Sequence, residues 1–391
     1  MFQQGLVEEL RRRGVEDQRI LQAFATIPRH QFVDRFWLAG LAAPASGPDG
    51  GGERIVDEDA GDDVLALVYA PDVALLTAPP HAATSSVSAP YLIAGMLGEL
   101  DLVPGVRVLE IGAGSGYHAA LLAALVGDPR LITTVDIDAD LVSQTRARLA
   151  RLDLAAITVV AGDGDAGIPG GSFDRIVVTC GCADISPAWR AQLDERGVLL
   201  TPLVHGSAHP RVRLIKRDGH LAGTYVGYSG FVSMHGTQAN KSPWGTRPPT
   251  PTDSTPTSHG LPGHLAAALA PPEITRPEWN PAEWALGFYV ALRDRRAAAT
   301  AGLADGNSFA RIERGKLVVS GTCSDKLAQE LVALTEDWHD AATPGLDRYT
   351  TSFTPEPVGT PALHDAPSPH GPWVIRRLCS NQLIELDGEP P

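Results

Sequence analysis

The chain has 391 residues, 43% hydrophobic and 20% charged, with a formal net charge of −14. That length predicts one large and one smaller domain of ordinary globular composition. The acidic balance builds no broad basic patch, which argues against a nucleic-acid partner.

The opening stretch MFQQGLVEELRRRG is charged and helical in pattern, without the apolar core of a signal peptide. Across residues 1 to 40, Leu6, Leu10, Ile20, Leu21 and Phe24 are spaced for the apolar face of helices, and Pro28 interrupts them. Residues 44 to 63 are rich in Gly, Pro and acid and read as a solvated loop, with a mobile lid as the alternative. From about 90 to 228 the chain alternates strand and helix. Apolar runs fall at Val106–Ile111, Ile132–Val135, Ile157–Val160, Arg175–Thr179 and Val198–Thr201, with helical segments at Tyr117–Val126 and Ala139–Leu152. That alternation predicts a parallel sheet wrapped by helices. Runs such as Ala119 to Val126 are far too short to cross a bilayer, so no membrane partner is expected. Residues 241 to 262, rich in Pro, Thr and Ser, read as a linker or long surface loop. Beyond them Trp284–Ala298 and Asp325–Trp338 look helical, and Trp373–Ile375 and Leu383–Glu385 look like short strands. Cys180, Cys182, Cys323 and Cys379 show no CxxC spacing, which predicts free thiols, a reducing cytoplasmic setting and no metal site.

The chemistry gathers around VLEIGAGSGYH, residues 108 to 118. Gly112, Gly114 and Gly116 form a tight turn that lets a ligand approach the backbone. A dinucleotide fold would carry its third glycine at the position held by Tyr117. Glu110 precedes the turn, where a carboxylate would repel a pyrophosphate but suit an ammonium group. Asp136 ends the second strand, placed for two ribose hydroxyls, and Asp163 in Gly162-Asp163-Gly164 ends the third, placed for an adenine amino group. Ammonium, ribose and adenine together describe S-adenosylmethionine. Gly112, Gly114, Ser115, Gly116, Ile137 and Gly164 complete the expected cofactor set. The fold class is then α/β, a Rossmann-like class I S-adenosylmethionine-dependent methyltransferase domain with a smaller C-terminal α+β domain.

Five segments in order, IPRHQFVD (27–34), SVSAPYLIAGML (86–97), VLEIGAGSGYHAALLA, AGDG (161–164) and FDRIVVT (173–179), make the chain resemble the protein-L-isoaspartate O-methyltransferase family over about residues 5 to 205. The resemblance implies methyl transfer to an aspartate or isoaspartate carboxylate in a peptide or protein partner. It implies that Ser88 lies beside the transferred methyl as the catalytic residue and that Ser86 helps form the acceptor pocket. Without it, the same serines fit an ST-turn and N-cap ahead of Pro90. A carboxylate, with an ordinary pKa of about 4, is already the nucleophile at neutral pH and needs no general base. His30 and His118 are accordingly read as a polar residue of the entry turn and a first-turn helix residue.

Three stretches depart from the family pattern. The segment after the fourth strand, Thr179-Cys-Gly-Cys-Ala-Asp-Ile-Ser-Pro187, replaces an alanine-rich run beside the acceptor, so Thr179 and Cys180 join the expected substrate contacts. Cys180 and Cys182 read as small packing residues. The acidic insertion at 44 to 63 is the second departure, and everything after about residue 229 is the third. A core with such an extension resembles the methyltransferases that mature ribosomally made lanthipeptides and graspetides. It implies esterification of one aspartate in a macrocyclic precursor, leading to aspartimide or isoaspartate, with general repair and a non-catalytic binding protein as alternatives. The expected organisation is residues 1–89 as a helical and loop region lining the acceptor site, 90–236 as the cofactor-binding domain, 237–262 as linker and 263–391 as the C-terminal domain.

Overall fold

A computed structural model describes residues 1–38, 52–79, 83–206, 209–239, 241–242, 255–270, 280–298, 300–356, 362–363 and 371–387. It divides into two compact units. Residues 1–180, 188–200 and 231–237 form the first; 181–187, 201–230 and 238–391 form the second.

The first unit opens with helices α1 (Phe2–Arg12) and α2 (Gln18–Thr26), the latter capped by the Asp17 carboxylate, which accepts from Arg19 N–H. Leu6, Leu10, Ile20, Leu21 and Phe24 are all buried. The expected helical stretch to residue 40 ends early. Pro28 breaks it, a 3₁₀ turn spans Arg29–Phe32, and Arg35–Leu38 is strand β1. Strands β2 (Arg54–Ile55) and β3 (Leu75–Leu76) flank β1, and β4 (Ser86–Val87) pairs with β3, so a small antiparallel sheet runs β2-β1-β3-β4. Helix α3 (Asp62–Val68) lies between β2 and β3. Of the acidic 44–63 stretch, residues 44–51 lie outside the described residues; the rest carries β2 and the start of α3 rather than a bare loop.

After α4 (Pro90–Glu99) comes the parallel sheet. Its strands are β5 (Val108–Ile111), β6 (Ile132–Asp136), β7 (Thr158–Ala161), β8 (Phe173–Val178) and β9 (Leu193–Pro202, to residue 200 in this unit). Helices α5 (Tyr117–Val126), α6 (Ala139–Arg151) and α7 (Pro187–Gln192) connect them. The order is β9-β8-β5-β6-β7, every pair parallel. Succession reverses between β5 and β8, the position where open α/β sheets bind ligands beyond their strand ends. Helix α5 is apolar all round and almost wholly buried, as a helix sandwiched against a sheet must be.

The second unit is antiparallel. Strands β10 (His209–Arg217) and β11 (His220–Ser229) form a hairpin. Helices α8 (Gly263–Ala268) and α9 (Pro281–Arg293) follow strand β12 (Thr257–Gly260). Then come β13 (Ala301–Asp305), β14 (Ser308–Glu313), β15 (Lys316–Ser320), α10 (Ser324–Asp340), β16 (Tyr349–Pro355), β17 (Ala362–Leu363), β18 (Trp373–Arg376) and β19 (Ser380–Leu386). One sheet runs β17-β18-β19-β16-β11-β10 and another β12-β15-β14-β13. The expected boundary therefore moves. The hairpin at 209–229 sits with the C-terminal residues because β11 pairs with β16, Leu221 opposite Phe353. Residues 1–89 are no separate unit. Of the expected 237–262 linker, residues 243–254 lie outside the described residues, and Thr257–Gly260 pairs with β15.

Candidate active site

A cavity of about 400 Å³ opens in the first unit beside β5, within the size range of small-molecule sites. The glycine turn forms its floor. Gly112 sits at φ +101°, and a Cβ there would lie 2.5 Å from the Thr179 hydroxyl. Gly116, at φ +88°, begins α5 where a Cβ would meet Thr145. Only glycine holds both positions without strain. The Thr179 hydroxyl donates to the Ile111 and Gly112 carbonyls at 3.0 and 2.8 Å, tying the end of β8 to the start of the turn.

Glu110, Gly112, Gly114, Ser115, Asp136, Ile137, Gly164, Thr179, Cys180, Ser86 and Ser88 all line the cavity, as the sequence leads one to expect. Gly116 and Asp163 do not belong to that lining. Gly116 shapes the turn from behind. Asp163 instead accepts from Asp165 N–H at 3.0 Å and from the Thr237 N–H and hydroxyl, both at 2.8 Å. Burial alone would push its carboxyl up, but these donors outweigh that and hold it below the usual range. The carboxylate thereby fastens residues 231–237, and Phe231, Val232, Ser233, Met234 and His235 join the cavity wall. Sequence reading missed this segment because nothing in its composition points back to β7.

Asp136 stands as expected at the end of β6. Its two oxygens accept from Gly114 N–H at 2.9 Å and Asp138 N–H at 3.1 Å, which orients the carboxylate and leaves further acceptor capacity toward the cavity. Glu110 differs. It is fully buried, with one oxygen 2.7 Å from His118 Nδ1 and the other accepting from the Thr134 hydroxyl at 2.6 Å. His118 lies in the first turn of α5 as expected, yet it also lines the cavity. His30, by contrast, meets the Tyr69 hydroxyl at 2.7 Å and does not contribute to the lining.

A hydroxyl-rich wall runs Thr84, Ser85, Ser86, Val87 and Ser88, with Ile93 and Met96 of α4 beside it. Arg29 holds this wall from behind. Its buried guanidinium donates to the carbonyls of Ser88 (2.7 Å), Val87 (3.1 Å) and Val73 (3.2 Å) and stacks 5.4 Å over the Tyr117 ring. Burial lowers its pKa to about 10, so it remains charged at neutral pH. The link explains why IPRHQFVD and SVSAPYLIAGML occur together: the arginine of one organises the backbone of the other. At the opposite side Trp189, wholly buried, donates its indole N–H to the Gly164 carbonyl at 2.7 Å. A Cβ on Gly164 would lie 2.5 Å from Ile111.

Cys180 lines the cavity, while Cys182 is buried with its thiol against the Thr201 hydroxyl and raised to about 12 by burial. The four cysteines are all thiols. Among the described residues no helix is long and apolar enough to cross a membrane, and no cluster of three or more metal-ligand side chains occurs.

Residues 72–239 match the family described as protein-L-isoaspartate(D-aspartate) O-methyltransferase. Protein-L-isoaspartate O-methyltransferase 2 of Rhodopseudomonas palustris strain HaA2 is 36% identical over 215 residues, 54% of this chain and 83% of that protein. Protein-L-isoaspartate O-methyltransferase of R. palustris strain BisB5 is 36% identical over 209 residues, 53% of this chain and 79% of its own. A solved structure titled protein-L-isoaspartate O-methyltransferase superposes with TM-score 0.53 at 23% identity, covering 90% of this chain and 96% of that one, a likeness of fold. With the glycine turn, the strand-end acid and the serine wall gathered around one cavity, the chain belongs to the protein-L-isoaspartate O-methyltransferase family.

Proposed function

We propose that the cavity binds S-adenosylmethionine and that the chain esterifies a side-chain carboxylate of aspartate or isoaspartate in a peptide or protein. The observation that carries this is the single cavity shared by the glycine turn, Asp136 and the hydroxyl-rich wall at Thr84–Ser88. The residues present fit the donor. Asp136 offers acceptors for ribose hydroxyls, the turn Gly112–Ser115 brings backbone to the cavity, and among the described residues the lining includes no Lys or Arg to repel a cation. The bound donor supplies an electrophilic methyl group on a sulfonium.

The protein's own contribution is placement. Arg29 fixes the carbonyls of Val87 and Ser88, which holds the backbone that carries the Ser86 and Ser88 hydroxyls. Those hydroxyls can donate to an acceptor carboxylate and orient its attacking oxygen without protonating it. Alignment of this kind contributes about 7–11 kcal/mol in favourable cases. The ester is a better electrophile than the carboxylate. Attack by the next residue's backbone nitrogen expels methanol and closes a succinimide, whose hydrolysis returns some normal aspartate.

General repair of isoaspartyl sites is the reading we favour, in a cytoplasmic setting. The expectation of precursor maturation rested on the C-terminal extension, and the solved structure covering 90% of this chain bears the isoaspartate methyltransferase title. Esterification of one aspartate in a macrocyclic precursor is the second reading. The departure from the family pattern after β8 supports it, since Thr179 and Cys180 of that departing segment line the cavity. Mass spectrometry with isotopically labelled donor separates the two: comparable labelling of several unrelated isoaspartyl peptides supports repair, and labelling confined to a modified cyclic precursor supports maturation.

Ser88→Ala should lower turnover about tenfold, in line with loss of one hydrogen bond to a charged group, while donor affinity stays within twofold. With substrate saturating, the rate should be flat between about pH 6 and 8, because a carboxylate is already ionised there. A steep rise through neutrality would point to a general base and overturn the alignment mechanism.

A further inference from the structure

Glu110 stands where an ammonium partner is expected, yet its carboxylate is fully buried and holds a partner on each oxygen, His118 Nδ1 on one and the Thr134 hydroxyl on the other. Glu110 and Thr134 are direct register partners on β5 and β6, so the sheet itself holds that hydroxyl against the carboxylate. A carboxylate only accepts, which places the proton of the imidazole on Nδ1. Nε2, on the far side of the ring, is then the free lone pair. It is buried without a hydrogen-bond partner, in a residue that belongs to the cavity lining.

We infer that His118 Nε2 accepts directly from the ammonium group of the donor, and that Glu110 and Thr134 act through it as positioning residues. The inference rests on the donor reading above and deepens it. The Glu110 carboxylate behind the ring suits a cation in front of it, and among the described residues the lining includes no Lys or Arg to repel one. A general-base role for Nε2 has no proton to take, since the acceptor carboxylate is already ionised at neutral pH. The buried carboxylate also raises the ring's strength as an acceptor while fixing its tautomer, the same division of labour seen when a carboxylate orients a metal-bound histidine.

The test is calorimetry on the full chain with two ligands, S-adenosylhomocysteine and its des-amino analogue, which lacks only the amino group. Wild-type protein should bind the des-amino ligand at least tenfold more weakly. His118→Phe, which keeps a ring and removes both nitrogens, should weaken S-adenosylhomocysteine at least tenfold and the des-amino ligand less than twofold. Glu110→Gln, matched in size but uncharged, should show the same selective loss. Equal wild-type affinities overturn the inference without any variant, and so does a variant that loses both ligands in parallel or neither. Wild-type protein that binds neither ligand fells the donor reading itself, and this inference with it.

Discussion

Each unit buries a cluster of ionisable side chains, and the two clusters differ in one respect. In the first unit Glu110, Thr134 and His118 end in a buried, unpartnered Nε2 on a residue of the cavity lining. In the second, Arg377 is 1% exposed and spends its guanidinium on the Ala183 and Val204 carbonyls, Gln382 Oε1 and His205 Nε2. His205 accepts there and donates through Nδ1 to the Leu203 carbonyl, the neutral form that burial and the nearby Arg377 charge both favour. Asp184 accepts from the Ser380 hydroxyl and from the Cys379 and Ile185 N–H groups, although burial pushes its carboxyl up. Gln382 goes on to donate to the Tyr225 hydroxyl. A closed network of this kind spends its groups on one another and holds a fold. An open one, with an atom left over at a cavity, is prepared for a ligand.

The largest effect should come from breaking the closed network. Arg377→Leu leaves several buried acceptors and the Asp184 charge uncompensated, and should cost about 3–5 kcal/mol in chemical denaturation. At temperatures where the variant stays folded, donor affinity should not change, since none of these residues lines the cavity. A stability loss below about 1 kcal/mol would show that the network is not a unit.

The reverse pattern is expected at Asp136. Asp136→Ala removes the proposed ribose acceptor and should weaken donor binding by about 1.5–3 kcal/mol, read by calorimetry. Unchanged affinity would take Asp136 out of the site.

Asp163 sharpens the contrast because it lies near the cavity yet behaves as a structural residue. Asp163→Asn should cost about 1 kcal/mol by weakening its hold on Thr237. Its folded pKa lies below the unfolded one, so the stability it contributes is complete above the ordinary carboxylate pKa and lost as pH falls through the lowered value. Wild type and variant should therefore differ in stability at neutral pH and converge in acid. A difference that persisted at low pH would assign the effect to something other than the carboxylate.

Much of the first unit was legible in the residues. Helix Tyr117–Val126 falls where its apolar run ends at Gly127, and the central strands fall within a few residues of their apolar runs. Gly112 and Asp136 were legible because their roles are local: a left-handed turn and a strand end are written in a few consecutive residues. The partners of His118 were not legible, for the opposite reason. Its partner Glu110 is close in sequence, but the bond depends on how α5 seats against β5 and on Thr134, 24 residues beyond Glu110.

What the sequence by itself determined is the donor turn, the parallel alternation and the family, since each is carried by short-range spacing or by motifs in fixed order. The tertiary structure decided where charges end up. Asp163 and Asp136 look alike as acids at strand ends, and only the arrival of Thr237 from 74 residues away makes one of them an anchor. The hairpin at 209–229 alternates like any strand pair, and only its register with Tyr349–Pro355 assigns it to the second unit. Hydrogen-bond partners and sheet neighbours at such separations are selected by packing of the whole chain, and no local pattern of residues encodes that choice.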